Sequence, residues 1–303
     1  MEDISAFDPQ PTIIGNVIAV PFRFSYSRSG VPSINEIIES LQGVDAIMRR
    51  TPKAMKKLIG IDISGVSVSV NFIKTGSLYD DIVVNFMFGG RKQMDLFLKE
   101  MHEKFMNHKV IPVLVFLALL GGGALSVYKF SSIPGASNPI INSYNTNIIN
   151  IIASDSGKSV ESVQKILDSV VPKSEEVKLA KESLKVLAAA RAGGDIKVNG
   201  DMHIDSAFIS AVPVWKDMDK IEDILNLENT DANIRAVDID SSTNGWAVVI
   251  PAVGKKRIKM LFAEGVDKSK IVLGKPMKVD VSVLYEIRND EKIPYRCILS
   301  AIK

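Results

Sequence analysis

The stretch Val110–Tyr128, "VIPVLVFLALLGGGALSVY", carries no charged residue in the middle of a chain that otherwise has ordinary polarity. Its reading decides the architecture. A spanning helix needs about 20 mainly apolar residues, and this run has that length, with only Ser126 and three glycines departing from it. The competing reading is a buried core helix of a folded domain. Gly121, Gly122 and Gly123 would cost a water-soluble helix about 1 kcal/mol each, whereas between helices in lipid such small residues permit close packing. The sequence therefore points to a membrane helix over 110–128, with Gly121, Gly122 and Gly123 as its packing surface.

Flanking charge orients that helix. Arg91, Lys92, Lys99, Lys104 and Lys109 precede it and only Lys129 follows closely, so the positive-inside bias places the preceding residues in the cytoplasm. Downstream, "FSSIPGASNPIINSYNTNIINIIAS" (130–154) has no acidic or basic side chain. Ile141, Tyr144, Ile148, Ile151 and Ile152 recur there at helical spacing, with Asn142, Asn145 and Asn150 largely on another face. Residues 134–153 thus read as a half-polar helix. It either lies at the interface beside a single span or pairs with 110–128 as a hairpin, its asparagines then facing a wet path in an oligomer. The single span is the favoured arrangement.

The N-terminal 108 residues read as an α+β cytoplasmic domain. "TIIGNVIAVPFRFSYSRSG" alternates as a strand. Ser33 and Glu36 have capping-box spacing ahead of an apolar face formed by Ile34, Ile37, Ile38 and Leu41. "TPKAMKKLIG" is a short helix with Thr51 as cap, Pro52 in its first turn and Gly60 as stop. Val66, Val68, Val70 and Phe72 alternate ahead of a turn and the apolar run Ile82–Phe88, which predicts a β-hairpin. "RKQMDLFLKEMHEKFMNHK" then forms an amphipathic helix. The opening "MEDISAFDPQ" lacks the pattern of a secretory signal, so this domain is expected to stay where it is made.

Residues 155–194 predict two further helices, the second capped by Ser174 and stopped by Gly193-Gly194. From 195 to 303 the pattern changes to short strands separated by turn residues. It predicts a small antiparallel β-barrel or sandwich, of the SH3-like or oligonucleotide/oligosaccharide-binding sort, acting as a binding module. Within it Lys255, Lys256, Arg257 and Lys259 form a basic cluster, with Trp246 on the neighbouring strand. Those are ingredients for contact with anionic lipid or nucleic acid, although a solvated turn beside a core tryptophan is the simpler reading.

Composition narrows the chemistry. The 303 residues carry a net charge of +2, one cysteine and three histidines, which gives no global field for nucleic acid and no disulfide framework or zinc site. Asp80 and Asp81 after Gly76-Ser77 resemble paired acids that hold Mg²⁺, but neighbours on a strand point to opposite faces. His102 and His108 are six apart on a helix and do not share a face. "SGKS" (156–159) lacks the upstream glycine and strand of a phosphate loop and reads as a helix start. No catalytic residue, metal ligand or cofactor is assigned. The expectation is a membrane-anchored, bacterial-type sensor, adaptor or scaffold in the inner membrane. It would have no catalytic site, would self-associate and would engage a protein partner. The alternative is an oligomeric membrane-permeabilising effector of the toxin or phage-defence type.

Overall fold

The computed structural model describes residues 11–28, 30–74, 78–105, 111–130, 138–191, 193–200, 202–214, 220–237, 245–263, 266–288 and 291–303. The protein is α+β. In order, its elements are β1 (Thr12–Ile14), β2 (Val17–Ser27), α1 (Ile34–Met48), α2 (Thr51–Ile59), β3 (Gly65–Lys74), β4 (Leu78–Met87), α3 (Arg91–Phe105), α4 (Ile111–Phe130) and α5 (Pro139–Ser156). There follow α6 (Val160–Val170), α7 (Glu176–Leu187), β5 (Asp195–Val198), β6 (Met202–Ile204), α8 (Ser206–Ala211), β7 (Ile221–Ala236), β8 (Ala247–Val249), β9 (Ile258–Phe262), β10 (Pro276–Arg288) and β11 (Glu291–Ile302). The chain divides into two compact units: Met1–Ala124 with Ile140–Pro172 and Glu182–Val212, and Leu125–Pro139 with Lys173–Lys181 and Pro213–Lys303.

The first unit is built on a sheet of order β3-β4-β2-β5-β6, with β1 also paired to β2. Strand alternation gives it two unlike faces. Ile18, Val20, Phe22, Phe24 and Tyr26 of β2 are buried, as are their β4 partners Ile82, Val84 and Phe86. On the other face Arg23 donates from Nε and Nη2 to the Asp81 carboxylate at 2.7 and 3.0 Å, and the Asn85 amide reaches Ser67 at 3.4 Å. The strands at 195–204, expected in the C-terminal module, belong here instead: Phe24–Ser27 of β2 pair with Val198–Asp195 of β5. Local alternation marks a strand but not its partner.

Helix α4 belongs to this unit through Ala124. Every residue from Val113 to Leu120 is at most 3% exposed. Eight consecutive residues make more than two turns, so the helix is covered in every direction. The Phe116 ring meets Phe24 of the sheet edge-on at 5.6 Å between centroids. On its flank, α5 comes so close that a Cβ on Gly121 would stand 2.7 Å from Asn145 Oδ1. Helix α5 is an ordinary amphipathic helix, with Ile141, Ile148, Ile149 and Ile152 buried and Ser143, Thr146, Asn147 and Asn150 exposed.

The other helices assemble around small residues. In α1 the buried face is Ser40, Gly43, Val44, Ile47 and Met48. It is not the expected apolar one, for Ile34 and Ile38 are 76% and 46% exposed. Ser40 and Gly43 let the α7 backbone approach, and Ser40 Oγ donates to Val186 O at 2.9 Å. Arg50 forms a bidentate ion pair with Glu182 at 2.8 and 3.2 Å in largely buried surroundings.

The second unit contains the five-stranded C-terminal sheet. Its strands pair in the order β10-β11-β9-β8-β7, and β7 pairs again with β10, so the ladder returns on itself. All pairs are antiparallel except β11 with β9, which is parallel. The expected all-antiparallel arrangement is corrected at that pair, which joins strands separated by a long crossover. Ile234, Trp246, Val248, Met260, Phe262, Val281, Val283, Cys297 and Leu299 fill the interior.

A candidate anionic-ligand face on the C-terminal sheet

Strands β8 and β9 form a hairpin whose alternation separates core from surface. Val248, Ile258 and Met260 point into the core, while Ala247 and Lys259, which are cross-strand partners, point out. After Ile250 the chain turns sharply, with the amides of Val253 and Gly254 both donating to Ile250 O at 2.9 and 3.0 Å. Lys255, Lys256 and Arg257 follow, all exposed, as is Lys259. Between Gly245 and Ala263 there are four cations and no carboxylate, so the local sequence of this hairpin is basic.

The pairing extends the row. Lys259 is the register partner of Arg296 on β11, and Ala247 is the partner of Ala236 on β7, beside the exposed Arg235 where the register shifts. Adjacent strands lie about 4.8 Å apart, so Arg235, Lys259 and Arg296 cross one face of the sheet with only small residues between. Arg296 stacks its guanidinium over the Tyr295 ring, 5.1 Å from the centroid. Leu261 and its partner Ile298, and Leu284 on β10, are at most 4% exposed, whereas the cations around β8 and β9 are open to solvent.

Trp246 does not join it. Its side chain is 6% exposed and meets Phe262 at 89° inside the core, which matches the simpler reading of that residue. Arg235, Tyr295 and Arg296 were not singled out in the sequence. Arg235 was accessible from the alternation of "NIRAV", but the position of Arg296 depends on the parallel pairing.

The remaining sequence candidates lie apart. Gly121 is in close contact with Asn145, while nothing stands within 4 Å of a Cβ at Gly122, and Gly123 is buried in α4. Asn145 is buried with its Oδ1 unpartnered, Asn142 is half-buried and Asn150 is exposed. Asp81 is held by Arg23 on the outer face of the first sheet. The Asp80, His102 and His108 side chains and Gly76-Ser77 lie outside the described residues. Ser156 ends α5, Gly157 takes φ +65°, and Ser159 caps α6 by accepting from Ser162 N at 3.2 Å. That segment is a helix stop and restart. Among the described residues no group of three or more His, Cys, Asp or Glu side chains is disposed to hold a metal. Burial pushes the Cys297 thiol well above its ordinary range.

No protein-family model, curated protein or solved structure matches this chain.

Proposed function

We propose that the protein is a non-catalytic adaptor or scaffold whose C-terminal sheet is a small barrel that binds an extended anionic ligand, in the first instance single-stranded nucleic acid. The observation that carries this reading is the coincidence of strand order and charge. Numbering β7 to β11 as strands one to five, the ring runs 1-2-3-5-4-1 with three and five parallel. Oligonucleotide- and oligosaccharide-binding barrels share that order and use the face of strands two and three. Here that face bears Lys259 and the Lys255–Arg257 hairpin. Fold alone does not assign a ligand; the exposed cations Lys255, Lys256, Arg257 and Lys259 supply the chemistry, matching phosphates along a strand.

The test is fluorescence anisotropy with a labelled oligothymidylate. Binding is expected to weaken with salt, with a slope near −3 in log–log form for about four phosphate contacts. The triple reversal Lys255→Glu, Lys256→Glu, Arg257→Glu should abolish it. Absence of binding at low salt, or binding unaffected by that variant, would refute the assignment.

The proposal takes α4 as the central helix of the first unit and not as a membrane anchor, on the support of its burial from Val113 to Leu120. A permeabilising assembly would have to withdraw those residues from the core. Leakage of dye from vesicles carrying the purified chain is the result that would favour it.

A further inference from the structure

A second surface in the C-terminal unit has a different composition. Between β9 and β10 the chain makes a 3-10 turn, Lys268–Lys270, capped by Asp267, whose carboxylate accepts from Ser269 N and Oγ. Val266 and Ile271 pack against the barrel core and anchor the loop at both ends of this turn. The next two residues do not return inward: Val272 is 46% exposed and Leu273 58%. They stand in a tight turn closed by Lys275 N donating to Val272 O at 3.4 Å, with Gly274 third in the turn at φ +78°. That is the glycine position of a type II turn, which leaves Leu273 at the outer corner. A hydrophobic corner fixed in this way makes no contribution to the core.

Cations surround it. Lys270 and Lys275 are exposed, and Lys268 is held at the barrel surface with its ammonium 5.0 Å from the Phe262 ring centroid. Gly274 N donates to Ile234 O at 3.5 Å, which sets the turn beside Arg235. Among the described residues, Asp267 accepts from Ser269 and also feels the charge of Lys270, and Asp231 is paired with Lys278 at 3.1 Å.

We infer that the 266–275 loop docks on an anionic lipid bilayer, with Val272 and Leu273 entering the boundary between headgroups and acyl chains and Lys268, Lys270, Lys275 and Arg235 facing lipid phosphates. Convex aliphatic side chains ringed by cations complement a surface that is anionic above and apolar below. Nucleic acid offers the charge without the apolar layer, and so makes no use of the aliphatic corner. This inference goes beyond the adaptor reading and does not depend on it.

The test is co-sedimentation of the full chain with vesicles of phosphatidylcholine alone or mixed with phosphatidylglycerol. Binding is expected only to the anionic vesicles, reduced by salt, and about tenfold or more weaker in Val272→Ser, Leu273→Ser. That variant should keep its melting temperature, because both side chains are exposed, and should keep any oligothymidylate binding. Equal binding to both vesicle types, equal binding by wild type and variant, or no binding to anionic vesicles would each overturn the inference. So would loss of vesicle binding in the Lys255–Arg257 reversal with Val272→Ser, Leu273→Ser unaffected, since the basic hairpin would then be the docking surface.

Discussion

Replacing Gly43 by alanine tests the packing of the first unit where α1 meets α7. A Cβ built there stands 2.6 Å from Val186 N, 2.7 Å from Glu182 O and 2.9 Å from Val186 Cγ2. The two nearest atoms are α7 backbone and have no rotamer to change, so α1 and α7 must separate. Overpacking of this kind costs about 1–3 kcal/mol, and rigid backbone contacts place it in the upper part of that range. Alanine recovers about 0.8–1.0 kcal/mol of helix propensity relative to glycine, leaving a net loss of about 1–2 kcal/mol. For a unit of this size each kcal/mol moves Tm by about 2–4 °C, so Gly43→Ala should melt about 2–8 °C below wild type. Gly122→Ala is the matched control. It lies in a helix with nothing within 4 Å of the new Cβ, and should raise stability by up to about 1 kcal/mol. Thermal unfolding followed by circular dichroism reads both. A Gly43→Ala protein as stable as wild type would refute the α1–α7 crossing.

Other outcomes follow from single contacts. Glu182→Ala leaves Arg50 buried without its bidentate partner and should cost about 3–5 kcal/mol in urea unfolding, whereas Arg50→Met, Glu182→Leu should recover most of that loss; a double variant as unstable as the single one would contradict this. Cys297, buried in the core of the C-terminal sheet with its thiol pushed upward by that burial, should not react with Ellman's reagent in the native protein and should react fully in denaturant. The Glu36 carboxyl is held below its ordinary range, first by the Ser33 backbone N–H at 2.6 Å. Its folded value is thus lower than its unfolded one, so its contribution is present above about pH 4.5 and disappears as pH falls through the folded value. The stability difference between wild type and Glu36→Gln should accordingly narrow below that pH, and a constant difference from pH 3 to 6 would show that the carboxylate charge adds nothing.

Local signals in the sequence carried well where they concerned a single element. The Ser33/Glu36 capping box is formed in full, Gly60 ends α2 in the left-handed conformation with its N–H on Lys56 O, and the alternation at 66–88 is the β3–β4 hairpin. Thr51, read as a cap, is instead the first residue of α2, and its hydroxyl donates to Met48 O. What stayed hidden was pairing at a distance. Nothing local in "DIKV" tells that it adds to β2, about 170 residues earlier in the chain, nor that β11 runs parallel to β9. For α1, apolar count favoured Ile34 and Ile38, but close approach by α7 requires Ser40 and Gly43, so size outweighed hydropathy. Residues 110–128 have the composition of both a span and a wrapped core helix, because lipid and protein interior select the same side chains; the contacts of Phe116 and Gly121 are what support the second reading. The basic row was half legible: the hairpin cations are contiguous in sequence, while Arg235 and Arg296 reach it through strand pairing.

The most direct test of the central claim, that α4 is wrapped by protein, is alkaline carbonate extraction of membranes from cells making the full chain, followed by gel filtration without detergent. A wrapped α4 predicts that all the protein is released and elutes as a folded, monodisperse species, since the proposed docking of the 266–275 loop on lipid would be displaced under the same conditions. Retention in the membrane pellet, with release only by detergent, would show that α4 lies in the bilayer and would contradict the packing of Phe116 against Phe24.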